Sequence, residues 1–223
     1  GNIHYQTPLA DIYILSDSIP QATGVYEKLF AQHPGNPEFA YTLATAYLYA
    51  NRTEEALKMF QHIESLIGFS EEVAMAKQKI WLERKEYDKA IHDAEMLVSM
   101  FPDEPFYLEL LGELYLETGQ RGAARAVYLG ILDADPNDTM ALLRLADIFM
   151  EDGMEDEAFD MLIKAFRSPG MDAAGKARII YQYYLMSESD PAYLDQGFAL
   201  CRALTEMHPD DPESHLLYVD FLI

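Results

Sequence analysis

The side chains in this chain that could do chemistry are mostly carboxylates, and few of them are spaced for catalysis or metal binding. Asp133-Ala134-Asp135-Pro136-Asn137-Asp138 opens like a calcium loop. Asp138 then stands where that loop needs glycine, and Arg144 where it needs a bidentate glutamate. The histidines at 4, 33, 62, 92, 208 and 215 show no metal-ligand spacing. Cys201 falls on an apolar face, where a thiol packs rather than attacks. No glycine-rich phosphate loop and no Ser-His-Asp signature is present. The expectation is a chain with no catalytic residues, no metal, no cofactor and no small-molecule substrate. The one pattern with a direction is Glu109, Glu113 and Glu117, which at spacing four lie along one stripe of a helix. Like charges so placed cost a helix roughly 0.2–0.5 kcal/mol per pair, and a basic ligand would offset that cost.

Composition narrows the ligand. Among 223 residues, 38 Asp and Glu stand against 16 Lys and Arg, for a net charge of -22. Such a field repels nucleic-acid phosphates and draws basic proteins or peptides. A single cysteine excludes an internal disulfide. No apolar run is long enough to span a bilayer, and no targeting leader is visible. The chain opens Gly1-Asn2 without methionine, which reads as a trimmed or processed start and leaves both cytoplasm and a bacterial periplasm or envelope open.

The elements that must position the stripe show themselves through a period. Alanine stands at 22, 56, 90, 124 and 158, and an aromatic at Tyr13, Tyr47, Trp81, Tyr115 and Phe149, each 34 apart. Leu9, Leu43, Leu111 and Leu145 form a column broken by Lys77; Ala10, Ala44, Gly112 and Ala146 form the next, broken by Gln78. Tyr26, Phe60, Ala94, Tyr128 and Leu162 form another, and Pro34, Pro102 and Pro136 end three units. Within each unit apolar residues recur at three and four, the spacing of helices.

A 34-residue unit with these residues at these offsets resembles the tetratricopeptide repeat, most closely over 105–138, with Leu111, Gly112, Tyr115, Gly119, Ala124, Tyr128 and Pro136. The early tryptophan of that family is absent. The resemblance implies an all-α, right-handed superhelical solenoid of antiparallel helix pairs. Repeats fall at 3–36, 37–70, 71–104, 105–138 and 139–172. A sixth follows at 173–211, with a five-residue insertion expected in its turn within 187–194, and a partial seventh at 212–223. First helices are expected over 38–50, 72–84, 106–118 and 140–152, and second helices over 54–67, 88–101, 121–134 and 155–167. The last helix carries Leu216, Leu217, Val219, Leu222 and Ile223 with nothing after it to cover them, so continuation of the natural chain, or a partner, is expected there.

In that family the first helices line a concave face that holds peptides. The matching positions are Tyr41, Leu48 and Tyr49; Met75, Leu82 and Glu83; Phe106, Glu109, Glu113, Leu116 and Glu117; and Met140, Asp147, Met150 and Glu151, with Ile14 in the first repeat. The lysine, asparagine and arginine set that some members use to clamp a chain-terminal carboxylate is missing: its positions hold Thr7 and Asp11, Tyr41 and Thr45, or Met75 and Lys79. The expectation is therefore a protein-interaction scaffold that takes a basic and apolar segment. The rival readings are a self-assembling segment, docking through 212–223, and an accessory repeat region of a larger protein.

Overall fold

A computed structural model describes residues 8–10, 12, 13, 16, 18–207, 209 and 212–220, apart from the side chains of 213, 214, 217 and 220. Thr7, Asp11, Ile14, Leu217, Leu222 and Ile223 of the expectations above lie outside the described residues or side chains. The described residues form helices joined by short turns, with no strand among them. They group into two compact units, residues 1–100 and 101–223.

The first unit holds α1 (Ile19–Gln32), α2 (Pro37–Tyr49), α3 (Thr53–Ile67), α4 (Glu71–Glu83) and α5 (Tyr87–Met100). Each of these packs on the next. The second unit holds α6 (Pro105–Glu117), α7 (Arg121–Ala134), α8 (Thr139–Glu151), α9 (Glu155–Arg167), α10 (Ala173–Ser187), α11 (Ala192–Met207) and α12 (Pro212–Asp220). The helices of the second through fifth repeats begin and end within one residue of the spans read from the periodicity.

Each first helix of these four repeats stops in the same way. Asn51, Lys85, Gly119 and Gly153 have φ of 56, 56, 72 and 74°, a left-handed conformation that only glycine adopts freely. The amide one residue later donates back to the aromatic column: Arg52 to Tyr47, Glu86 to Trp81, Gln120 to Tyr115 and Met154 to Phe149, at 2.8, 2.8, 2.7 and 2.8 Å. This Schellman closure occupies carbonyls left open at the helix end and reverses the chain into the second helix. The alanine column lies on the second helices and is fully shielded, with Ala22, Ala56, Ala90 and Ala124 at 0% exposure, which lets the paired helices approach closely. Gly112 shows how close: a β-carbon there would lie 2.7 Å from Cζ of Tyr128.

The third repeat is built differently. Lys77 and Gln78, which break the leucine and alanine columns, are both buried. Lys77 Nζ lies 2.7 Å from Glu64 Oε1 and 3.3 Å from Asp93 Oδ2, and Trp81 Nε1 donates to Asp93 Oδ2 at 2.9 Å. Gln78 donates to the Ala90 carbonyl at 2.7 Å. The column that carries Tyr26, Phe60, Tyr128 and Leu162 elsewhere carries Ala94 here, so bulk on the first helix is matched by its loss on the second.

The sixth repeat absorbs its extra residues along its whole length. α10 has 15 residues and α11 has 16, against 13 in each of α8 and α9, and the turn between them is 188–191. The insertion is thus spread over both helices as well as the turn where it was expected, because lengthening a helix adds hydrogen-bonded turns while a longer loop adds closure entropy. α11 packs on α9, α10 and α12. Its buried residues Leu200, Cys201, Ala203 and Leu204 join Leu162, Phe166, Ile180 and Tyr183 in one cluster. Lys176 of α10, 1% exposed, points its ammonium at the Ser168 carbonyl, 3.5 Å away, at the negative end of the α9 dipole.

Candidate functional face

The candidate residues all sit on the first helices, and each unit presents its own share. On the first unit, Tyr49 and Leu82 are 60% and 42% exposed, Glu83 is exposed, and Tyr41, Leu48 and Met75 are half-buried. A groove of about 280 Å³ lies between Pro37, Glu38, Tyr41 and Thr42 of α2 and Ser70, Glu72 and Val73 at the start of α4, with Ile63 and Ile67 of α3 also lining it. Burial raises the Tyr41 hydroxyl above its ordinary pKa, and the hydrogen-bonded Glu72 carboxylate raises it further. Tyr41 therefore stays a neutral donor, and the groove is apolar beneath with carboxylates at its edge.

On the second unit the acidic stripe is not uniform. Glu113 accepts from the Tyr128 hydroxyl at 2.8 Å and lies 2.6 Å from Arg144 Nε. Arg144 also reaches Asp147 at 3.9 Å, and Arg121 reaches Glu151 at 3.5 Å and Asp152 at 3.3 Å. Most of the stripe is thus partnered within the fold, at surface-exposed pairs worth little each. Glu109 differs. It is half-buried, and among the described residues no ion pair joins it to a cation. Burial raises its carboxyl above the ordinary range, and the nearby Asp138 and Glu113 charges raise it further. Asp147 is exposed; partial desolvation raises its carboxyl, Arg144 pulls it down, and Glu151 and Glu113 push it up.

Exposed apolar side chains share these first helices with Glu109. Phe106, one turn earlier on α6, is 52% exposed, and Met140, two residues after Asp138, is 49% exposed. Met150 is 39% exposed, Leu116 is half-buried against the Ala124–Tyr128–Ile131 cluster, and Glu117 is exposed. The structure brings Asp138 and Glu113 within electrostatic reach of Glu109, and Glu113, Arg144 and Asp147 into one chain of pairs.

The reading of the columns stopped one repeat short. Counting from 173, the same face positions of the sixth repeat hold Tyr181, Tyr184 and Leu185 on α10, 58%, 38% and 46% exposed. The Tyr181 and Tyr184 rings stack, with centroids 6.4 Å apart and planes 20° from parallel. Register alone would have found them, but the longer repeat obscured it.

Other chemistry is thin. Among the described residues no group of three His, Cys, Asp or Glu side chains could hold a metal ion, and no helix is long and apolar enough to cross a membrane. Burial pushes the Cys201 thiol up to about 12.

Comparison with known proteins agrees with the repeat. Profiles described as tetratricopeptide repeat match residues 9–80, 80–139 and 109–171. Cellulose synthase operon protein C of Pseudomonas fluorescens (strain SBW25) is 26% identical over 142 residues, 60% of this chain but 11% of that protein, so the chain spans about a tenth of this relative's length. Among solved structures, MamA matches 70% of this chain and 91% of its own with a TM-score of 0.56 at 19% identity. PilF of Pseudomonas aeruginosa matches 97% and 95% with a TM-score of 0.52 at 16% identity. YrrB, described as a TPR protein with an unusual peptide-binding site, matches 72% and 83% with a TM-score of 0.55 at 14% identity. At these identities the likeness is one of fold. Such arrays are in general non-catalytic scaffolds for protein or peptide partners. With the period in its columns, helix pairs closed alike at each turn and profiles matched from residue 9 to residue 171, this chain belongs to the tetratricopeptide repeat family.

Proposed function

We propose that the first-helix face of the second unit holds a segment of another protein in which lysine or arginine alternates with apolar residues. Glu109 carries this reading: a half-buried carboxylate joined to no cation among the described residues, with the exposed Phe106 one turn earlier on α6 and the exposed Met140 on α8. A partner's ammonium or guanidinium would supply the missing charge, while its apolar neighbours cover Phe106, Met140 and Met150. Tyr41, Leu48, Tyr49, Met75, Leu82 and Glu83 of the first unit offer a similar apolar surface with carboxylates at its edge.

Selection from a random peptide library tests this without a known partner. Enriched peptides should carry Lys or Arg flanked by apolar residues. Their affinity should fall as salt rises from about 50 to about 300 mM, and Glu109→Gln should weaken them about ten-fold. Binding should also weaken as pH falls toward the raised Glu109 pKa. Enrichment of net-acidic peptides, or affinity indifferent to salt and to Glu109→Gln, would remove the basic partner from the proposal.

Two other readings rest on single observations. Leu216 and Val219 of α12 are 61% and 45% exposed, which favours docking of that helix on a further repeat or another copy. A mass by light scattering that stays monomeric across concentrations counts against self-assembly. The small share of the longer relative that the chain spans favours an accessory region within a larger protein.

A further inference from the structure

The groove between α2 and α4 on the first unit combines an apolar interior with a rim of one charge. It encloses about 280 Å³, room for a single long side chain. Ile63 and Val73, which line it, are 2% and 1% exposed, and Ile67, the last residue of α3, is 56% exposed. Glu38 stands in the first turn of α2 and Glu72 in the first turn of α4. No lysine or arginine lines the groove. Each carboxylate offsets the positive end of its own helix, which is reason enough for an acid in a first turn. Two such ends carry roughly one positive charge together, so the two carboxylates leave about one negative charge unmatched at the rim. The Tyr41 hydroxyl donates its proton to Glu72, so its oxygen keeps the capacity to accept.

We propose that this groove is a subsite for one lysine side chain of a bound segment. The methylene stem lies along Ile63, Ile67 and Val73, and the ammonium stays at the wet rim, the way long cationic side chains commonly pack. There its three donors meet three acceptors: Glu38, Glu72 and the Tyr41 oxygen. A guanidinium is wider and planar, and pairs best with both oxygens of one carboxylate. A rim divided between two helices suits the compact ammonium better, so the groove selects lysine over arginine. Acetylation of that lysine removes the charge and enlarges the head, so the subsite also distinguishes the unmodified side chain. The inference rests on the reading that the first-helix faces hold a peptide segment. It deepens that reading by naming the residue that the first unit takes.

Acetyl-Leu-Lys-Leu-amide titrated into the full chain, labelled for NMR on its methyl groups, should shift Ile63, Ile67 and Val73 saturably. The same peptide with norleucine keeps the stem without the charge, and should bind about ten-fold more weakly. With arginine, or with lysine acetylated on its side chain, it should lose about three-fold or more. Glu38→Gln and Glu72→Gln should each weaken the lysine peptide about three-fold, and the double variant about ten-fold. Both positions are exposed, so the variants should keep the rest of the spectrum, which serves as the folding control. Norleucine or arginine bound as well as lysine, or affinity indifferent to the double variant, would overturn the proposal. The methyls of Met140 and Met150 report the face around Glu109 in the same titration. Glu109→Gln should reduce shifts there and leave those at Ile67 intact. Shifts at Met140 and Met150 alone would overturn the lysine subsite and leave the Glu109 reading standing, while shifts at Ile63, Ile67 and Val73 alone would do the reverse.

Discussion

Lys77 Nζ stands 3.3 Å from Asp93 Oδ2, inside a helix pair whose counterparts hold leucine at the lysine position. Neither side chain is more than 10% exposed. Glu64 and the Trp81 indole complete the cluster, so every charge has a partner of opposite sign or a donor. A pair like this repays its desolvation only when complete.

Removing one member should therefore cost more than removing all. Asp93→Ala leaves the Lys77 ammonium buried against Glu64 alone and the Trp81 N–H without its acceptor. It should destabilise the chain by about 3 kcal/mol or more. Glu64→Gln, Lys77→Met and Asp93→Leu combined should recover most of that loss, short of the cost of the Trp81 N–H that still lacks its acceptor. Urea unfolding of the variants measures both, and a triple variant as unstable as Asp93→Ala would show that the network itself stabilises the repeat.

The turn after α4 offers a stabilising change. Lys85 holds φ at 56° where Gly119 and Gly153 hold 72 and 74°. Lys85→Gly should raise stability by about 1 kcal/mol, since the strain relieved exceeds the entropy added to the unfolded chain. Asn51→Gly should do less, because asparagine tolerates this region. Thermal melts of the two variants, run side by side, give the order.

Cys201 should be silent in the folded protein. Burial holds its thiol near a pKa of about 12, so almost no thiolate exists at pH 8. A disulfide reagent added at pH 8 should react slowly in buffer and at once in denaturant. The slow rate then reports opening of the cluster around α11.

Glu109 should trade stability for binding. Its folded pKa lies above its unfolded one, so its favourable contribution is complete below the unfolded pKa and is lost as pH rises through the folded value. At pH 7 Glu109→Gln should melt higher than wild type, and the gap should close as pH falls into the carboxylate range. A gap that stays constant with pH would mean that desolvation of the carboxylate is not what distinguishes this site. The same substitution should lose basic peptides, a cost often seen where a binding residue is held in an unfavourable setting.

The helices were legible because the columns that define them are also the residues that pack: the alanines at 56, 90 and 124 are each fully shielded. The α6 stripe was legible in the same way, from spacing four on a helix of known phase. What periodicity could not supply was pairing between helices. The 2.6 Å contact of Arg144 with Glu113, which leaves Glu109 without a cation, depends on how α6 and α8 pack. Lys77 and Gln78 showed only as breaks in two columns, since their partners Glu64, Asp93 and Ala90 lie on the flanking helices.

The exchange of bulk in the third repeat, Gln78 on one helix against Ala94 on the other, has a consequence for how such arrays diversify. A helix copied from a neighbouring repeat into this one would bring a tyrosine or phenylalanine against Gln78, or an alanine against Ala94, and so produce a clash or a void. The hairpin can be transplanted as a whole, provided that the helix before it supplies a carboxylate in place of Glu64 for Lys77. Recombination and engineered shuffling of this chain should succeed at the prolines and glycines that separate repeats and fail at the turns inside them, which makes the helix pair the heritable unit.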